Sequence, residues 1–74
     1  LRLSANKLSN AIELGKLDTL EELYLDDNQI VDPVPLFHLP VLRHLDLSGN
    51  NTLECPSQGR LAHVKTVILP LHCR

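Results

Sequence analysis

The sequence has no tryptophan and no methionine, and its aromatic residues are one tyrosine, Tyr24, and one phenylalanine, Phe37. Any core must therefore be built from aliphatic side chains, leucine foremost. No apolar run approaches the roughly 20 residues of a bilayer-crossing helix, so this segment holds no membrane span. Lysine and arginine are scattered singly and the formal net charge is −2, which leaves no basic stripe for a nucleic-acid backbone. Seventy-four residues make at most one small domain. A chain of that size buries only about 60% of its unfolded surface, so an ordinary globular core would be marginal.

What is present is a repeat. "LRLSANKL", "LEELYLDDNQI" and "LRHLDLSGNNT" each run from leucines into an asparagine at the same place, Asn6, Asn28 and Asn50, so the period is 22 residues. The next slot holds His72, within "VKTVILPLHCR". A fixed period of 20 to 30 residues is the mark of a solenoid. The alternation in Leu23–Tyr24–Leu25 and Leu45–Asp46–Leu47 sets the leucines on one face of a short strand. The asparagine follows where the chain must bend. Buried there, its amide can donate to a carbonyl and accept from a neighbouring turn's N–H, so that Asn6, Asn28, Asn50 and His72 form a structural ladder.

The other half of each unit has its own apolar register, with Leu8, Ile12, Leu14, Leu17 and Leu20 matched by Ile30, Val34, Leu36, Leu39 and Leu42. Pro33, Pro35 and Pro40 limit these returns to turns or brief 3₁₀ pieces. Asp18 with Glu21 has the spacing of a capping box. The expected architecture is an α/β solenoid, with a short parallel sheet on the concave face and turns or 3₁₀ segments on the convex one. Residues 1–50 form repeats, the first truncated, and residues 51–74 a capping repeat with a polar edge. Leu1 opens the chain in mid-repeat with no cap over Leu1 and Leu3. The expectation is the C-terminal part of a longer array, with upstream repeats as its neighbours.

The pattern L-x-x-L-x-L-x-x-N-x-[LI] resembles the leucine-rich repeat family over almost the whole chain. "DPVPLFHLPVL" resembles the 22-residue, internalin-like class, whose units often read D-I-x-P-L-x-x-L. The resemblance implies a non-enzymatic protein-binding module that uses its concave face. The known members of that class are bacterial surface adhesins and intracellular regulators.

With leucines inward, Arg2, Tyr24, Asp46 and Ile68 share one column of the concave face. Glu22, His44 and Thr66 form a second, and Ser4, Asp26, Ser48 and Pro70 a third. Strands stack about 4.8 Å apart, which makes these columns one patch. Arg2, Glu22, Tyr24, Asp26, His44, Asp46 and Ser48 are the candidate partner-binding residues. Acidic in its middle, the patch suits a protein partner with a basic or mixed surface.

Cys55 and Cys73 lie in the capping region. A disulfide between them could tie the last strand to the turn beneath, contributing about 3 kcal/mol in the chain-entropy model. Many extracellular leucine-rich arrays end in such caps, and the implied setting is extracellular, cell-surface or periplasmic. The alternative is a pair of reduced, buried cysteines in a cytoplasmic regulatory subunit. A structural unit of a larger assembly, or an arm on an upstream enzyme domain, are further readings. No catalytic residue, cofactor or metal is expected. The histidines at 38, 44, 63 and 72 are dispersed, and the neighbours His72 and Cys73 supply only two of the three or four ligands zinc takes. The carboxylates of "LDDN" at 25–28 lack the glycine-containing loop of calcium sites.

Overall fold

A computed structural model describes residues 1–57 and 59–74. In chain order it contains η1 (Leu14–Lys16), β1 (Glu22–Tyr24), η2 (Val34–His38), β2 (His44–Asp46), β3 (Thr66–Ile68) and η3 (Leu71–Cys73), where η is a 3₁₀ helix. The strands form one parallel sheet in the order β1-β2-β3. Its register aligns Glu22 with His44 and Thr66, Leu23 with Leu45 and Val67, and Tyr24 with Asp46 and Ile68. Arg2 adds an isolated parallel bridge to Tyr24. The sheet and its connections fit a leucine-rich repeat fold. Among the described residues the returns are 3₁₀ pieces and turns, with no α-helix.

Each strand is three residues long because the chain turns sharply just beyond it. Ala5, Asp27 and Gly49, spaced 22 apart, all have left-handed backbones with φ of 57°, 58° and 78°. The inter-turn hydrogen bonds continue through the bend, from Ala5 N to Asp26 O (3.0 Å) and from Asp27 N to Ser48 O (2.9 Å). Gly49 could carry no side chain without displacing Asp27, whose atoms occupy the place of a Cβ.

Leu23, Leu25, Ile30, Leu36, Leu39, Leu42, Leu45 and Leu47 are buried, and Leu53, Leu61 and Val64 extend the core under β3. Burying one such side chain stabilises by about 1.5–3 kcal/mol. The returns depart from the expected register at Ile12 and Val34, and also at Leu17, which is 41% exposed although its counterpart Leu39 is buried. Ile12 and Val34 are 55% and 50% exposed, while their neighbours Ala11 and Pro33 are buried. The inward slot is thus filled by a small or ring-closed residue that lets adjacent turns approach closely. Gly15 serves the same approach, since a Cβ there would lie 2.6 Å from the Pro35 carbonyl oxygen.

Two smaller expectations are also corrected. Asp18 and Glu21 do not cap a helix, because Asp18 lies in a turn and the chain extends into β1 directly afterwards. Pro70 is not on the open face of the sheet. It is buried and leads into η3.

Candidate functional site

The face of the sheet turned away from the leucine core carries Arg2, Glu22, Tyr24, Asp26, His44, Asp46 and Ser48. Their places follow from the alternation within each strand, which buries Leu23 and Leu45 while Tyr24, His44 and Asp46 stay half-exposed. Tyr24 lies at the centre. The Arg2 guanidinium carbon is 4.2 Å from its ring centroid, within cation–π range. On the other side the His44 ring is 4.9 Å away, tilted by 39°. The two rings belong to neighbouring columns, so they pack diagonally across the β1–β2 step. Neighbours on both sides hold Tyr24 in one orientation, so little rotamer freedom remains for a partner to freeze out.

The carboxylates beside it are oriented too. Ser4 Oγ donates to Asp26 Oδ1 at 2.6 Å. Ser48 donates to Asp46 Oδ1 from both its hydroxyl (2.7 Å) and its backbone N–H (3.0 Å). Arg43 bridges Glu21 and Glu22, at 3.4 and 3.3 Å. These pairs are solvent-exposed and each adds at most about 1 kcal/mol, but they fix where charge is presented. The strand-face residues thus form one patch, to which the structure adds Arg43. Its sequence signal was the alternation Glu21–Arg43–Lys65 at the repeat period.

Beneath the patch the asparagines differ from one another. Asn28 Nδ2 donates to Leu3 O (2.9 Å) and Leu25 O (3.0 Å), and its Oδ1 accepts from the N–H groups of Asn6 and Leu8, both at 2.9 Å. Asn50 repeats this one turn on, donating to Leu25 O (3.0 Å) and Leu47 O (2.8 Å) and accepting from Ile30 N (2.9 Å). Asn6 is exposed and takes part through its backbone. His72 has a different role, since its Nε2 meets Leu53 O at 2.8 Å. The carbonyl equivalent to Leu25 O and Leu47 O, that of Leu69, receives Arg74 Nε at 2.8 Å instead. A guanidinium reaching back from the last residue replaces the amide because η3 carries His72 off the bend.

Cys55 and Cys73 are joined by a disulfide with a Cα–Cα distance of 5.3 Å, linking η3 to the loop after Leu53. Cys73 packs partly against the core, while Cys55 is exposed. On the return side a shallow cleft of about 260 Å³ runs between Asp32, Val34, Phe37, Pro56 and Arg60. No described helix is long and apolar enough to cross a membrane.

Comparison with curated proteins and with solved structures gives no match. Residues 18–58, more than half of the chain, match the family model described as "Leucine Rich repeats (2 copies)". Leucine-rich repeats generally mediate protein–protein interaction and are typically non-enzymatic. With that match spanning β1, η2 and β2, and the same 22-residue register continuing into β3, the chain belongs to the leucine-rich repeat family.

Proposed function

We propose that the chain is a non-enzymatic recognition module of an extracellular or cell-surface leucine-rich repeat protein. It binds a protein partner on the open face of its sheet, through Arg2, Glu22, Tyr24, Asp26, His44, Asp46 and Ser48. The observation that carries this reading is Tyr24, held between Arg2 and His44 and flanked by carboxylates that hydroxyl groups orient. Tyrosine and arginine dominate binding hot spots because they bury much area and keep polar handles. With Glu22, Asp26 and Asp46 around the ring, the matching partner surface is basic or mixed in charge. The solenoid continues through the 22-residue register, and residues 51–74 act as its cap. The disulfide and the polar edge of η3, where His72 and Arg74 satisfy backbone carbonyls, support that role. The disulfide also supports an oxidising compartment.

The test is affinity capture from an extracellular fraction with the disulfide-bonded chain, followed by dissociation constants with the partner identified. Tyr24→Ala is expected to weaken binding by about 30-fold, the size of a hot-spot loss near 2 kcal/mol. Val34→Asp, on the return side, should leave affinity within about twofold. The reverse ranking, with circular dichroism unchanged in both variants, would place the interface elsewhere.

A further inference from the structure

The cap brings Cys55 to the neighbours His72 and Cys73, which lie 17 and 18 positions further along the chain. The sulfurs of Cys55 and Cys73 and a ring nitrogen of His72 all lie within 4.8 Å of one another. Cys55 and His72 are exposed and Cys73 is half-buried, so the cluster is open to reductant and to solutes. Its histidine is already oriented. Nε2 lies 2.8 Å from the Leu53 carbonyl oxygen, and a carbonyl can only accept, so in the neutral ring Nε2 carries the proton and Nδ1 keeps its lone pair. One nitrogen held by a backbone carbonyl and the other free is the usual arrangement of a metal-binding histidine.

We propose that reduction of the Cys55–Cys73 bond converts this cluster into a zinc site. Its ligands are the two thiolates and His72 Nδ1, with water in the fourth position. A dithiol reductant supplies two electrons and two protons. The S–S bond breaks, two thiols form, and the reductant closes to a cyclic disulfide. Zinc then replaces the two thiol protons, which pass to solvent. Thiolate and imidazole donors suit zinc, and three protein ligands with a water is one of its common coordination sets. Tetrahedral zinc at about 2.3 Å from each sulfur needs the sulfurs about 3.8 Å apart. With the Cα atoms 5.3 Å apart, rotation of the two side chains can open the pair to that span. The same residues would then close the cap in both redox states, by a covalent bond when oxidised and by a metal when reduced. This inference does not depend on the partner-binding reading of the sheet.

The experiment reduces the full chain with a dithiol, removes the dithiol by gel filtration under nitrogen, and titrates with cobalt(II) followed by zinc(II). One equivalent of cobalt is expected to give thiolate-to-metal charge-transfer absorption with the visible bands of tetrahedral coordination, and zinc to bleach both. The disulfide-bonded chain should give neither. His72→Ala should weaken zinc binding at least about tenfold, and His63→Ala, whose ring contacts Leu39 O outside the cluster, should match wild type. Circular dichroism of His72→Ala in its oxidised state checks that the variant folds, and saturating zinc should raise the melting temperature of the reduced wild-type chain. An octahedral cobalt spectrum without charge transfer, a His72→Ala titration superimposable on wild type, or a melting temperature indifferent to zinc would each overturn the proposal.

Discussion

Asn50 is fully buried and its side chain serves three backbone groups, the carbonyls of Leu25 and Leu47 and the N–H of Ile30. Asn50→Ala strands the Ile30 N–H in a dry interior and takes one of two donors from each carbonyl, leaving Leu25 O to Asn28 Nδ2 and Leu47 O to the Asn50 backbone N–H. The unpaired N–H costs about 1–3 kcal/mol and each lost carbonyl bond about 0.5–1.5 kcal/mol, so the loss should be about 3 kcal/mol, measured by urea unfolding. Asn6 stands at the same repeat position but its side chain is exposed, and Asn6→Ala should change stability by less than about 0.5 kcal/mol. Equal losses in the two variants would mean that the ladder is not graded in this way. The sequence marks both residues identically. What separates them is a neighbouring turn on each side, which a one-dimensional pattern does not record. Arg74 makes the same point from the other end. In the sequence it occupies an apolar slot, and only the path of η3 lets its guanidinium reach Leu69 O.

At the scale of the element, the bends after the strands were legible as positions, since an asparagine recurs there, but not as backbone conformations. Ala5, Asp27 and Gly49 share a left-handed φ without sharing a residue type, so no compositional signal ties them together. An alanine in that region is strained by about 1–2 kcal/mol. Gly49→Ala should therefore cost about 2 kcal/mol, more if Asp27 cannot yield the place it occupies beside Gly49. Ala5→Gly should raise stability by about 0.5 kcal/mol, the relieved strain slightly exceeding the added chain entropy. Thermal melts of the two single variants check both signs. The strand columns, by contrast, could be read directly. A period of two within strands and 22 between them fixes which side chains share a face, and the observed register aligns Tyr24 with Asp46 and Glu22 with His44. The returns were harder. Short 3₁₀ pieces impose no long periodicity, so Ile12 and Val34 read as core although Ala11 and Pro33 fill the inward slots.

Over the whole molecule, order is carried by contacts between successive turns, and among the described residues β3 pairs with β2 alone. The Cys55–Cys73 bond ties η3 to the preceding loop, 18 positions away in sequence. Reducing it, in the absence of metal, should lower stability by about 3 kcal/mol in the chain-entropy model. The loss should also be local, because the remaining turns keep their own neighbours. Hydrogen exchange distinguishes a local from a global effect. The amides of Thr66, Cys73 and Arg74, bonded to Arg43 O, Pro70 O and Leu71 O, should exchange faster after reduction. Those of Leu25 and Ile30, held by Asp46 O and Asn50 Oδ1, should keep most of their protection. Uniform acceleration at all five would mean that the turns unfold as one cooperative unit, and the disulfide would then be a staple for the whole fold rather than for its last turn.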